Sequence, residues 1–207
     1  MLKKLAGLTA IAGLFIAGTA SAQITGTAHD FSGDGWNATN EICAVCHTPH
    51  NSLTQDLDKP LWNHTQSTTD FSASLYASDT LDATLNNPQG ISRLCMSCHD
   101  GSVALDSFGT APTSTTFVTG DALLGLTLAE DHPVSFTWDN TLGDAEIVDP
   151  AVATSGLGGT IAVDLLFGAG NDQMECGSCH DVHGTANPAL LRVDNSGSAF
   201  CLTCHSK

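Results

Sequence analysis

Apolar and polar positions along this chain show little of the regular spacing that predicts long helices or strands. Ser, Thr, Gly, Asn and Asp are abundant, which is typical of loops. Three β-branched runs alternate between apolar and polar residues and predict a few short strands. They lie around Thr115–Thr119, Val134–Trp138 and Thr160–Leu165. Helical turns are expected mainly around four short cysteine motifs. The pattern therefore predicts a mostly coiled chain with short helices and a small β element.

The N-terminus has the one long apolar stretch. A basic start is followed by apolar residues from Leu5 to about Ala17 and then by Ala20-Ser21-Ala22. This order is typical of a secretory signal peptide, and its apolar part is too short to span a membrane. No other segment approaches membrane-spanning length. The sequence predicts a signal peptide over residues 1–22 and a single exported domain over residues 23–207.

All eight cysteines fall within four copies of Cys-x-x-Cys-His. The copies are Cys43, Cys46 and His47; Cys95, Cys98 and His99; Cys176, Cys179 and His180; and Cys201, Cys204 and His205. Four disulfides or two four-cysteine zinc sites would use the same cysteines. Neither requires a histidine after every second cysteine, whereas covalent attachment of c-type haem does. The motifs therefore predict four haem c groups, each with its motif histidine as one axial ligand of the iron.

The first and third motifs continue as Cys-His-x-x-His, which adds His50 and His183. The second and fourth motifs lack this extension, so the motifs form a weak repeat of two dihaem units. Residues three apart lie on one face of a helical turn. His50 therefore starts on the same side of the first haem as His47 and cannot reach the opposite side. We expect His50 to bind the iron of another haem, and we expect the same of His183.

Five histidines outside the motifs are candidates for the other axial position of four irons. They are His29, His50, His64, His132 and His183. One of them is surplus, and His29 and His64 compete for the same role. Met96 and Met174 lie in or beside motifs, where they are poorly placed to reach a distal face, and are interpreted as packing residues. Ligation by two histidines at all four irons is therefore possible and would favour low potentials.

The repeat suggests where the two extension histidines go. If His183, beside the third haem, binds the second haem, it joins the two dihaem units. By the same rule His50 should bind a haem that precedes the first unit, and the fourth haem of a neighbouring molecule, opposite His205, is the natural candidate. A head-to-tail contact that does not close produces a filament. The alternative is that His50 folds back onto the second, third or fourth haem of its own chain.

Charge narrows the function classes. Six basic residues face 22 acidic ones, for a net charge of −16. Such a surface repels nucleic acid and anionic lipids. A multihaem reductase would need an open iron beside cationic or phenolic groups, whereas this chain has many histidines and one tyrosine. We expect an electron-transfer protein rather than an enzyme, with a monomeric periplasmic shuttle as the alternative to a filament.

A chain this polar would bury too little apolar area to fold alone. We expect the four macrocycles to complete the core, so that the fold is templated by haem.

Several of these segments together resemble the OmcE-type tetrahaem cytochromes, which polymerise into extracellular nanowires. The resemblance spans nearly the whole chain after the leader and rests on His29-Asp30-Phe31-Ser32, Cys43 to Asn51, Pro60 to His64, Cys95 to Gly101, His132 to Phe136 and the last Cys-x-x-Cys-His. It implies two histidines on every iron and a continuous stack of haems in alternating parallel and T-shaped contacts. It also implies that an adjacent subunit supplies one distal histidine, here His50. Looser relatives often lack a histidine at the position of His64.

Overall fold

The computed structural model describes residues 23–52, 61–110, 112–139, 144–184 and 186–206. The predicted leader lies outside these ranges. Four helices are present: α1 at Gly90–His99, α2 at Ile161–Asp164, α3 at Cys176–Cys179 and α4 at Cys201–Cys204. Short 3-10 turns lie at Phe31–Gly33, Gly120–Ala122, Pro188–Leu190 and Ser196–Ser198. Most of the described chain is coil, as predicted.

The β element is one small antiparallel sheet. Strand β1 is Phe136–Thr137 and strand β2 is Gln173–Met174, with Phe136 opposite Met174. β1 lies inside the predicted run Val134–Trp138, which is confirmed. β2 directly precedes the third motif, so the sheet anchors the segment that leads into it.

The strand predicted around Thr160–Leu165 is wrong, because this segment forms α2. A strand would place Ile161, Val163 and Leu165 on one face, since its side chains alternate. Ile161 and Leu165 are instead buried at 0% and 2% exposure while Val163 is 68% exposed. That burial has the spacing of a helical turn.

The strand predicted around Thr115–Thr119 is also wrong, because this segment is extended coil. The amides of Thr115 and Thr116 donate to the Asp106 carboxylate at 3.1 Å instead of to a neighbouring strand. A single backbone bond, from Leu105 N to Thr116 O at 2.7 Å, joins it to another segment.

Two small apolar clusters form the buried core of the described residues. The larger contains Ile161, Leu165, Leu166, Met174 and Phe200. The smaller contains Phe71, Met96 and Leu128. Met96 and Met174 are thus packing residues, as predicted. Both clusters lie beside cysteine motifs, since Met96 is inside the second motif, Met174 precedes the third and Phe200 precedes the fourth.

No helix within the described ranges combines the length and the apolar character that crossing a membrane requires.

Candidate functional site

Each cysteine motif forms one tight turn. The His47 amide donates to Cys43 O at 2.8 Å, and the His180 and His205 amides donate to Cys176 O and Cys201 O at 3.0 Å. The second motif is the last part of α1. In each of these motifs the backbone forms a helical turn, so the two cysteines, which are three residues apart, lie on one face. All four turns therefore present two thiols on one side, with the histidine following directly.

The motif histidines are fixed by backbone contacts from elsewhere in the chain. Isolated antiparallel bridges pair His47 with Trp62, His180 with Leu191, and His205 with Ile147. His99 remains helical, and its carbonyl accepts from Leu124 N at 2.9 Å. The backbone of each motif histidine is thus held by another segment of the main chain as well as by its own turn.

Hydrogen bonds at Nδ1 orient the rings of two motif histidines and of one histidine outside the motifs. His99 Nδ1 lies 2.7 Å from Ala122 O, and His180 Nδ1 lies 2.9 Å from Ala189 O. His132 Nδ1 lies 2.9 Å from Pro133 O. A carbonyl can only accept, so Nδ1 carries the proton and Nε2 keeps its lone pair. This is the tautomer that a histidine needs to bind a metal through Nε2.

Three pairs of imidazole rings face each other across the distance that one metal ion would fill. The ring centroids are 6.0 Å apart for His29 and His99, 6.0 Å for His47 and His183, and 6.3 Å for His132 and His205. Imidazole nitrogen binds a metal at about 2 Å, so two rings on opposite sides of one ion have centroids about 6 Å apart. Each pair contains one motif histidine and one other histidine. This spacing fits axial ligation of a haem iron.

The His29 ring is held in its neutral form. Burial lowers its pKa, and the positive charges that His99, His180 and His183 can carry lower it further. Its Nδ1 is buried and has no hydrogen-bond partner. A neutral, desolvated imidazole that faces a motif histidine is suited to bind a metal.

His50 and His180 are the exceptions among the candidate ligands. All nine histidines lie in the described ranges, and neither of these two has a ring contact with another imidazole there. Both side chains are exposed. Among the described residues, His180 of the third motif thus has no facing imidazole, and the exposed candidate ligand His50 has none either.

His64 is buried at 1% exposure and pairs with no motif histidine. Its Nδ1 lies 2.8 Å from Thr65 O and its Nε2 lies 3.0 Å from Ala104 O. Its ring contacts Trp62 at 6.3 Å, and Nε2 is 3.7 Å from Cys98 Sγ. These contacts favour a structural role beside the second motif over ligation.

The second cysteine of every motif is partly buried. Burial raises the pKa of Cys46 and Cys204 to about 11 and that of Cys98 to about 12. Burial likewise raises the pKa of Cys179. All eight cysteines are unpaired thiols. Partial burial therefore favours the neutral thiol over the thiolate at all four positions.

Consecutive motifs are also neighbours in space. The thiols of Cys95 and Cys176 lie close enough for each to shift the pKa of the other, upward for Cys95 and downward for Cys176. After burial, the next cause of the raised pKa of Cys98 is the nearby Cys46 thiol. Cys201 contributes in the same way to the raised pKa of Cys179. The motifs therefore follow one another in chain order, with the second and third in direct contact.

Two pairings differ from those predicted from the repeat. His183 faces His47 of the first motif, whereas the sequence suggested the second haem. His205 of the fourth motif already faces His132, so it is His180 that lacks a facing ring. The internal repeat could not indicate the pairing of His183 with His47, because that pairing depends on contacts between distant segments. One such contact is the bond from Gln23 N to His183 O at 2.9 Å, which joins the N-terminal arm to the segment after the third motif.

No local pattern in the sequence identifies the residues that hold the motif histidines. Trp62, Leu191 and Ile147 act through backbone pairing, and Ala122 and Ala189 through their carbonyl oxygens. Any residue type can supply such contacts, so only the folded chain identifies them.

A family model described as a doubled CXXCH motif matches residues 169–207, which include α3 and α4. No curated protein matches the chain. The doubled motif indicates a c-type cytochrome-like protein, a class that binds haem covalently and transfers electrons.

Proposed function

We propose that this chain is an exported cytochrome with four haem c groups that transfers electrons, is not an enzyme, and polymerises head-to-tail into an extracellular filament. When bound, haem c supplies a one-electron iron couple whose potential depends on its axial ligands. The chain supplies the cysteine turns, the axial imidazoles and an acidic surface.

Three of the proposed sites are built within one chain. His47 with His183, His99 with His29, and His205 with His132 would each hold one iron from both sides. Support comes from the centroid separations of 6.0, 6.0 and 6.3 Å. Two histidines on one iron leave no position for a substrate, which argues for electron transfer rather than catalysis.

The fourth site carries the proposal of a filament. His180 has no facing imidazole, and His50 is an exposed histidine without one among the described residues. We propose that His50 of one subunit completes the site of His180 in the next. Each subunit then offers two unmatched rings, one that donates the bridging histidine and one that receives it, and repeating that contact extends a chain of subunits.

A second candidate is the monomeric periplasmic shuttle. His47 and His183 stack at an interplanar angle of 21°, which brings the first and third motifs side by side. His50 follows His47 by three residues, and His180 precedes His183 by three. His50 could therefore reach His180 of its own chain once haem is bound, and no neighbouring subunit would be needed.

The test combines particle size with the spin state of iron. The native protein is examined by electron microscopy, and its haem content by intact mass, where four haems are expected. His50→Ala is expected to abolish filaments and leave one high-spin iron per subunit in the electron paramagnetic resonance spectrum. His183→Ala is the matched control, because it removes the equivalent histidine of the other Cys-His-x-x-His. It is expected to give one high-spin iron and intact filaments.

Other outcomes separate the candidates. A native protein that is monomeric, with one high-spin iron appearing in His50→Ala and no change in size, would support the shuttle. Unchanged filaments in His50→Ala would contradict the bridging role of His50. A native protein that binds carbon monoxide after reduction would contradict ligation by two histidines at every iron.

A further inference from the structure

Glu175 is a carboxylate buried between two haem-attachment motifs. It directly precedes Cys176 and α3, and its side chain is 3% exposed. α3 packs against α1, which carries Cys95 and Cys98 of the second motif. Since Cys176 begins α3 and Cys95 lies on α1, Glu175 lies beside the contact between the second and third motifs.

Every hydrogen bond to this carboxylate comes from a neutral donor. Ser135 Oγ donates to Glu175 Oε2 at 2.9 Å, and Ser92 N donates to the same oxygen at 3.3 Å. Ser178 contacts only the backbone of Glu175: its amide donates to Glu175 O at 2.8 Å, and its hydroxyl accepts from Glu175 N at 2.9 Å. The three serines are buried at 0%, 0% and 1% exposure. Water is therefore excluded from a group that these donors only partly stabilise as an anion.

The basic side chains on the packed elements are engaged elsewhere. Arg93 of α1 donates through Nη2 to Ser67 O at 3.1 Å. Arg192, which lies against α3, donates to Asp164 O at 2.7 Å and Gly177 O at 3.4 Å. The described residues thus supply no ion pair to Glu175. Burial raises its pKa, and the bonds from Ser92 and Ser135 offset only part of that effect. The neighbouring thiols of Cys95 and Cys176 stop titrating once they become thioethers.

We propose that Glu175 is a proton-linked positioning residue that couples the potentials of the second and third haem sites to pH. This rests on the proposed function, in which both motifs carry haem. With haem attached at both motifs, a buried negative charge at Glu175 would stabilise the oxidised form of each. When a redox partner supplies one electron, the Glu175 carboxylate would take up one proton from solvent, which would offset part of the added negative charge.

The sign of the pH dependence follows from linkage. If reduction raises the proton affinity of Glu175, protonation of Glu175 favours reduction by the same factor. The raised folded pKa places this exchange above the usual range of glutamate, nearer neutral pH. The potentials of the two sites therefore rise as pH falls through that pKa, and they level off once the carboxyl is fully protonated.

Redox titration between about pH 5 and pH 8 tests this coupling, a window that spans the titration range of buried carboxyls. Glu175→Gln keeps the side-chain shape but cannot ionise. It is expected to raise the potential of part of the redox wave near neutral pH and to remove the pH dependence of that part. Asp79→Asn is the control, because this substitution removes the same charge at a residue that is exposed and lies outside every motif. It is expected to leave the wave unchanged.

Infrared difference spectroscopy of the native protein provides a readout that needs no variant. Reduction is expected to produce a carbonyl band of a protonated carboxylic acid that shifts in heavy water. The band should be absent in Glu175→Gln and retained in Glu175→Asp. Absence of the band in the native protein, or an unchanged pH dependence in Glu175→Gln, would overturn the proposal. Haem content is measured first: four haems without coupling contradict only the role of Glu175, whereas missing haems contradict the proposed function.

Discussion

At the scale of single residues, the fold places the histidines in three different environments that the sequence could only partly separate. Four of them directly follow a Cys-x-x-Cys, which is the position that covalent attachment of haem predicts for an axial ligand. The sequence also predicts that either His29 or His64 is surplus. Choosing between them requires the fold, which sets His29 6.0 Å from His99 and buries His64 between two carbonyl oxygens.

Substituting these two histidines separately distinguishes their roles. His29→Ala is expected to leave one high-spin iron per subunit, because His99 loses its facing imidazole. His64→Ala is expected to keep every iron low-spin. It should lower the free energy of unfolding by about 1–3 kcal/mol, since a buried carbonyl oxygen loses its donor. Paramagnetic resonance and guanidinium unfolding measure the two effects. A high-spin iron in His64→Ala, with none in His29→Ala, would reverse the assignment.

At the scale of elements, the sequence predicts what local spacing controls and misses what distant contacts control. The turns of the cysteine motifs and the strand at Phe136–Thr137 were predicted, since each depends on neighbouring residues. The strand prediction for Thr160–Leu165 was wrong. The β-branched composition of this segment favours a strand, but burial of Ile161 and Leu165 in one cluster selects a helical turn. Tertiary packing of this kind overrides local preference.

The contact between α1 and α3 depends on one small residue. A Cβ at Gly177 would lie 2.8 Å from Phe167 Cζ and 3.1 Å from Ile91 Cγ2. Gly177→Ala is therefore expected to separate the second and third motifs and lower the free energy of unfolding by about 1–3 kcal/mol, as overpacking does. Gly35→Ala is the matched control, because a Cβ there meets nothing within 4 Å. Equal stability of the two variants in guanidinium unfolding would contradict a tight helix contact.

At the scale of the whole molecule, distant parts of the chain complete each other's sites. His29, in the N-terminal arm, faces His99, and His47 of the first motif faces His183 beyond the third. The doubled-motif match covers only residues 169–207, so it contains neither His29 nor His47. We propose that haem templates this closure, because the described apolar clusters are small and lie beside the cysteine motifs.

Net charge makes a filament of this chain dependent on salt. Each chain carries a net charge of −16, so neighbouring subunits repel one another. The Debye length, over which charges act on each other, is about 30 Å at 0.01 M ionic strength and about 8 Å at 0.15 M, so added salt weakens the repulsion. Filaments are expected to shorten at about 0.01 M and lengthen again at about 0.15 M, as measured by sedimentation and electron microscopy.

A sucrose solution of matched osmolality, without added salt, controls for osmotic effects and should not restore length. Ligation of iron by His50 is a coordination bond that salt screens little, so shortened filaments should still contain joined subunits. Longer filaments at low salt would instead mean that attraction between opposite charges holds the interface. The chain has six basic residues against 22 acidic ones, and two of the six, Arg93 and Arg192, now donate to backbone carbonyls, so few cations remain to supply such an attraction.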